Sequence, residues 1–335
     1  MNRNRLALLA AAFLVPACNQ TPEDDFPPDM PMTARPAITY RDPRAAAWRV
    51  IEVGGDFRPL VQPVPGGTIE WTTGDVVVEG RGLARGTTPQ DALLARRAAR
   101  VVASRNALLA AAGIPIGPGG TSKNISEGSI RLDAVLRDFQ EIRSDFDPAT
   151  RTATSAVRLP MYGARGVVRL AGVVLRPCGA TWNWPTPAAR PAEPAAGVIV
   201  LDVQGTSFQP VLLPRVVTTD GRCVFEAAEL GEDQATWRPA VIYATYKPVP
   251  YMSAAPERGD WSEAVVAGGP AGTALAHSLS RTFRGAVLLS GCTVRAERPG
   301  EIALSAAAVA YLQTHPELRS LFRAGRVIVV ADGPQ

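Results

Sequence analysis

Residues 88–113 read TPQDALLARRAARVVASRNALLAAAG, and the fold of the first half of the chain turns on them. Thr88 followed by Pro89 is a helix start. A threonine hydroxyl at the N-cap accepts a backbone N–H, and proline suits the first helical position because no N–H is needed there. Asp91 places a negative charge in the first turn, where the helix dipole favours it. Leu94, Ala98, Val101, Leu108 and Ala112 recur at three- and four-residue spacing, which predicts the buried stripe. Arg96, Arg97 and Arg100 fall mostly off that stripe. Gly113 is the expected C-cap residue. At 1.5 Å per residue such a helix is roughly 36 Å long.

Strand signals flank the helix. Ile69 to Thr72 and Val76 to Glu79 precede it and lead into Gly80-Arg81-Gly82. After it come a Gly/Ser-rich loop over 117–129 and alternating apolar positions from Ile130 to Ile142. The Asp145–Thr150 cluster of turn residues and a returning strand from Ala153 to Leu159 complete the set. Residues 48–175 are therefore expected as one long helix packed on an antiparallel sheet. Proline and alanine dominate residues 176–196, which read as a linker with Trp182 and Trp184 embedded.

A second, smaller mixed α/β domain is expected over 197–332, making the whole an α+β protein of two domains. Its evidence is the apolar run Gly197 to Asp202 and the Asp220-Gly221 hairpin signal between Val211–Val217 and Cys223–Phe225. Strands are expected at Ala286–Leu289 and Ile302–Leu304. Ser305 caps a helix over 306–314, Pro316 opens another helical turn, and Arg326–Val330 is the last strand.

The first residues carry a different message. Arg3 and Arg5 precede a short apolar run from Leu6 to Val15, which closes on Val15-Pro16-Ala17-Cys18. This is the pattern of a lipoprotein signal peptide over 1–17, cut before a cysteine whose sulfur then carries fatty chains such as palmitate. Asn19, rather than an acid, follows the cysteine and points to the outer membrane, facing the periplasm. The lipidated N-terminus and tether, residues 18–47, hold six prolines and five acids and bury too little apolar surface to fold. Removing 17 residues leaves a chain long enough for one large domain or two.

The formal charge of +4 falls to about +2 when Arg3 and Arg5 leave, and no basic block suggests nucleic acid. Two histidines in 335 residues argue against a histidine-based metal site. Cys178, Cys223 and Cys292 allow one disulfide and one thiol, or three buried thiols. If a pair forms, Cys223 with Cys292 is the choice, since both sit beside strands of one domain.

The apparent chemical motifs are weak. Gly80-x-Gly82-x-x-x-Gly86 misses the dinucleotide fingerprint by one residue, and no strand ending in an acid follows at the required distance, so these are read as turn glycines. The glycines of 268–272 lack a phosphate-loop lysine. His277 beside Ser278 has no accompanying nucleophile elbow. Asp145 and Asp147 are explained by self-capping of a turn. No catalytic, metal or cofactor residues are expected. The arginines 96, 97, 100 and 105 are compatible with a solvated face, with an acidic neighbour in an assembly, or with lipid phosphates.

The helix from Gly82-Leu83-Ala84 through Ala92–Val101 to Leu109, with the later Leu159-Pro160-Met161-Tyr162-Gly163 turn, resembles the LPP-twenty family of bacterial outer-membrane lipoproteins. Gly197–Asp202, Pro210–Pro214, Asp220-Gly221 and Arg326–Val330 resemble the extra C-terminal half of its longer members. That resemblance implies a non-catalytic envelope lipoprotein anchored to the membrane through Cys18, in some relatives assembling into rings or discs around the flagellar motor. The expectation is thus a structural or assembly component, homo-oligomeric or joined to an envelope assembly. The alternative is a periplasmic module binding peptidoglycan or another envelope polysaccharide, with Trp182 and Trp184 as contacts.

Overall fold

The computed structural model describes residues 56–117, 120–121, 139–163, 166–170, 180–186, 197–230, 239–247, 265–267, 274–283 and 285–333. Within them the chain is a mixed α/β protein with several sheets and few helices. No helix among the described residues is long and apolar enough to cross a membrane. Cys18, the leader, the 18–47 tether, Cys178 and the glycines of 268–272 lie outside the described residues.

The elements of the first half run β1 (Phe57–Pro59), β2 (Val61–Val64), β3 (Gly67–Glu70), β4 (Asp75–Leu83), α1 (Pro89–Gly113), β5 (Pro115–Gly117), β6 (Gly120–Thr121), β7 (Gln140–Asp147), β8 (Thr152–Pro160) and α2 (Val167–Leu170). Five of the strands form an antiparallel sheet in the order β2-β3-β4-β8-β7. Alternation places Val76, Val78, Gly80 and Gly82 of β4 on the buried face, under α1. The helix begins as its sequence predicts: the Thr88 hydroxyl accepts from the Asp91 N–H at 3.2 Å, and Asp91 Oδ2 accepts from the Thr88 N–H at 3.2 Å. Its end differs from expectation. Gly113 is still helical, and the chain leaves the helix at Ile114, which is extended (φ −67°, ψ 123°). Pro115 is the cause, since its ring disfavours helical backbone in the residue before it.

The second half contains β9 (Val198–Asp202), β10 (Arg215–Val217), β11 (Cys223–Glu226), β12 (Ile242–Tyr246), β13 (Val265–Ala267), α3 (Ala274–Thr282), β14 (Ala286–Leu289), β15 (Thr293–Arg295), β16 (Arg298–Ala303), α4 (Ala306–Thr314), α5 (Arg319–Arg323) and β17 (Val327–Ala331). The largest sheet is here, in the order β1-β12-β17-β9-β14-β13, and all of its pairings except β1 with β12 are parallel. The expected smaller domain therefore carries the larger sheet. Its central strands β9 and β17 are apolar up to Asp202 at the end of β9 because both faces are covered: every residue of β17 is buried. A second sheet, β11-β10-β16-β15, contains the predicted hairpin, whose Gly221 takes the left-handed φ of +85° that its turn requires. Ser305 caps α4 by accepting the Ala308 N–H at 3.2 Å.

The boundary near residue 175 is less clean than the composition suggests. Strand β1 pairs antiparallel with β12, so a segment assigned to the first domain completes the sheet of the second. Trp71 packs edge-on against Tyr243, with ring centroids 5.8 Å apart. The Tyr162 hydroxyl donates to the Leu212 carbonyl at 3.0 Å, and the Leu212 and Leu213 N–H groups donate to Pro115 and Ile116 at 2.9 and 2.7 Å. One buried cluster runs from Trp71 and Ile114 through Tyr243 to Phe322. The segment read as a linker is pinned as well: Trp182 N–H donates to Cys223 O, and Cys223 N–H to Ala180 O, each at 2.8 Å.

Candidate interaction face

Helix α1 has two apolar faces, and the sheet takes the one made of small residues. Ala95, Ala99, Ala103, Ala107 and Ala111 recur at every fourth position and are all buried, with Ala110 beside them. Opposite them lie Gly80 and Gly82, within strand β4 rather than in a turn. A Cβ on Gly80 would stand 2.2 Å from both Ala103 N and Ala99 O, and one on Gly82 2.2 Å from Ala95 O. Glycine on the strand and alanine on the helix thus let two backbones approach closely. Gly86 serves the same helix differently, leaving room for Asp91 Oδ2, which a Cβ there would meet at 2.5 Å.

The stripe predicted as core consequently points outward. Leu94, Ala98 and Val101 are exposed, Leu108 and Ala112 only half-buried. Val101 is 69% exposed, Leu109 62%, Leu94 54% and Leu93 51%, with Val102 also on the solvent side. Exposed leucines and valines are ordinary singly; several along one helix make this side of α1 the candidate interaction surface. Arg96, Arg97, Arg100 and Arg105 are exposed on the same helix, Arg97 and Arg105 on its outward side, and no acid occurs between Ala92 and Gly113. Arg100 reaches Glu141 at 3.8 Å, an exposed pair that contributes little. Among the described residues Arg96, Arg97 and Arg105 have no ion-pair partner.

A second feature lies at the carboxyl ends of β9 and β17, where open α/β sheets commonly bind ligands. A cleft of about 470 Å³ is lined there by Gln62, Trp71, Thr206, Phe208, Gln209 and Asp332, among others. Asp332 Oδ2 accepts the Gly205 N–H at 2.6 Å, and Asp202 Oδ1, ending the neighbouring strand, accepts from Gln204 at 3.2 Å. Burial, aided by the Asp332 charge, pushes the Asp202 carboxyl above the usual carboxylate range. The cleft's other polar groups are partly committed: Thr206 Oγ1 donates to Val203 O at 2.6 Å, and Gln62 Oε1 accepts the Trp71 indole N–H at 2.9 Å. Amides, a hydroxyl, a carboxylate and aromatic edges suit a neutral polar ligand.

Cys292 lies near the same sheet edge as a thiol, its Sγ donating to Leu289 O at 3.3 Å. Burial pushes its pKa up to about 12, so it is protonated at neutral pH and a poor nucleophile. The expected bridge to Cys223 is not made. Cys223 pairs with Val217, Val217 with Ala303 and Ala303 with Thr293. Three strand spacings of about 4.8 Å put Thr293, the neighbour of Cys292, roughly 14 Å from Cys223. A disulfide spans no more than about 7 Å between Cα atoms.

The other residues singled out in the sequence are placed as follows. Trp182 is buried and Trp184 half-buried; their rings lie 4.8 Å apart, Trp184 also meets Phe322 at 5.9 Å, and its indole donates to Val224 O at 3.2 Å. They anchor the 180–186 segment rather than offering faces to a sugar. Asp147 accepts from Ala149 N–H at 2.9 Å and Thr150 Oγ1 at 2.7 Å, which lowers its pKa as self-capping requires. Asp145 pairs with Arg143 at 3.0 Å. His277 falls within α3. His315 caps the end of α4 and stacks on Tyr311 with centroids 3.9 Å apart. Among the described residues no three metal-ligating side chains gather.

Sequence reasoning found the arginines but placed the apolar stripe on the wrong side of the helix. The overlooked signal was the pairing of Gly80 and Gly82 with alanines four residues apart. The sequence matches no protein-family model and no curated protein.

Proposed function

We propose that this chain is a lipoprotein of the bacterial outer membrane, facing the periplasm, held by acyl groups on Cys18 and acting as a structural or assembly component. In this reading residues 48–175 form the helix-on-sheet unit and residues 197–332 the mixed α/β unit. The role is that of the LPP-twenty lipoproteins the sequence resembles, including a ring or disc component associated with the flagellum. The observation that carries the reading is the solvent-facing side of α1, where Leu94, Val101, Val102 and Leu109 stand exposed among arginines. Water-exposed aliphatic surface of this extent is costly unless a partner covers it. The sequence pattern ending at Cys18 supplies the anchor that would hold the protein beside such a partner.

Metabolic labelling with an alkyne fatty acid tests the anchor. The wild-type chain is expected to take up label and Cys18→Ser to remain unlabelled; an unlabelled wild-type protein recovered from the medium overturns the reading. A photo-crosslinking residue at position 101 in intact cells is expected to capture envelope material.

The cleft supports a second reading, a module binding peptidoglycan or another envelope polysaccharide. Trp71, Phe208, Gln62, Gln209 and Asp332 would replace Trp182 and Trp184 as the contacts. Retention on isolated cell wall, lost in Gln209→Ala with Asp332→Ala, is the expected result. No retention of the wild type ends this reading.

A further inference from the structure

We infer that the outer face of α1 lies flat on an anionic phospholipid surface, the exposed leucines and valines entering the headgroup boundary while the arginines meet lipid phosphates. This rests on the reading of that face as an interaction surface and names its partner. Three observations carry it. First, the face combines exposed aliphatic side chains at positions 94, 101, 102 and 109 with Arg97 and Arg105, flanked by Arg100, and Asp91 in the first turn is the helix's only acid. Aliphatic residues with long basic side chains, whose stems follow the apolar surface while their heads reach phosphate, are what an interfacial helix needs.

Second, the charge pattern disfavours a second copy of the chain. Antiparallel pairing of two such helices about Val101 would set Arg97 of one copy against Arg105 of the other, at both ends of the contact. Parallel pairing would set each arginine against itself. Like charges at that range repel, whereas an anionic bilayer offers every arginine a counter-charge.

Third, the face is convex and linear rather than grooved. The 25-residue helix is about 37 Å long and packs one side on the sheet, leaving exposed aliphatic side chains from Leu93 to Leu109 along the other. Its arginines suit lying on a bilayer, and it is not apolar enough to cross one. The roughly 37 residues between Cys18 and Asp56 reach at most about 130 Å when extended, so an anchor at Cys18 leaves α1 ample chain to meet the same bilayer.

The test uses the chain freed of residues 1–17 and carrying Cys18→Ser, so that no acyl group contributes. It is sedimented with vesicles containing about one quarter phosphatidylglycerol in phosphatidylethanolamine, and with pure phosphatidylcholine. Binding is expected to the anionic vesicles, about tenfold weaker or more to the neutral ones, and falling as salt rises from about 0.05 to about 0.3 M. Val101→Glu with Leu109→Glu, and separately Arg97→Glu with Arg105→Glu, are each expected to weaken binding about tenfold or more. All four side chains are exposed, and an unchanged melting temperature shows that the variants are folded. Equal binding of wild type and both double variants, or no binding to anionic vesicles, overturns the assignment. So does a wild-type dimer, seen by ultracentrifugation without lipid, that Val101→Glu with Leu109→Glu dissolves. A negative result here leaves the fatty-acid labelling of Cys18 untouched, and an unlabelled Cys18 leaves this measurement untouched.

Discussion

Gly80→Ala adds one methyl group and tests the packing on which the exposed face depends. The new Cβ would meet two backbone atoms of α1, Ala103 N and Ala99 O, each at 2.2 Å. Neither can rotate away, because both belong to the hydrogen-bonded interior of a 25-residue helix. Ordinary contact needs about 3.4 Å or more, so the helix must lift by roughly 1 Å and loosen the seam that Ala95, Ala99, Ala103 and Ala107 make with β4. Overpacking of this kind costs about 1–3 kcal/mol, and rigid backbone neighbours place it at the upper end. Replacing glycine within a strand returns about 0.5–1 kcal/mol through the lower entropy of the unfolded chain. The net loss is about 2 kcal/mol, a fall in Tm of about 3 °C for a chain of this size.

Gly113→Ala is the internal control. A Cβ there meets nothing within 4 Å, and the residue is the last of the same helix, so alanine should stabilise by up to about 1 kcal/mol. Thermal melts followed by circular dichroism, with urea titration to confirm an unchanged m-value, would show the two variants moving in opposite directions. A Gly80→Ala protein that melts with or above the wild type would refute the close seam. The outward orientation of Leu94, Val101 and Leu109 would then lose its structural basis.

Three further outcomes follow from the geometry. Thr88→Ala removes the hydroxyl that accepts the Asp91 N–H and should destabilise by about 1 kcal/mol, read as a lower Tm; Thr88→Ser should recover most of it. Asp202 binds its proton more tightly folded than unfolded, because burial and Asp332 raise its pKa above 3.8. Its ionisation therefore costs stability as pH rises from that value through the folded pKa, so Asp202→Asn should melt higher than wild type at pH 7.5 and level with it near pH 3; the reverse order would show that the carboxylate is stabilised in the fold. Cys292 should resist alkylation in the native protein and react on unfolding, and peptide mapping without reductant should show no Cys223–Cys292 link; rapid native labelling would contradict the burial of its thiol.

Local chemistry was legible in the sequence wherever it acts over a few residues. The Thr88–Asp91 capping box, the Asp220-Gly221 turn and the Ser305 cap appear where their residue types require. The apolar runs of β9, β14 and β17 were readable as buried strands, because strands covered on both faces need no alternation. What escaped were pairings between distant segments. Strand β1 has three residues, ends in proline and carries no periodic signal, and only its partner β12, nearly 190 residues later, makes it a strand. The cleft escaped for a related reason: its lining comes from β2, the stretch after β3, the 206–210 loop and the residues beyond β17, none with a motif of its own.

The helix presents the sharper case, because its sequence offers two seams and periodicity alone cannot choose between them. Leu94, Val101 and Leu109 bury more area than alanines and, judged by transfer energy, should win the core. They lose because the strand opposite carries Gly80 and Gly82, leaving a seat too shallow for leucine that the alanine backbone fills closely. The sheet thus selects the seam, and bulky residues remain outside with arginines beside them. Had that outer side served only solvation, exchanging its leucines and valines for polar residues would have cost the core nothing. Under the proposed contact with a bilayer, a surface that takes aliphatic side chains and guanidinium groups together accounts for that apolar character.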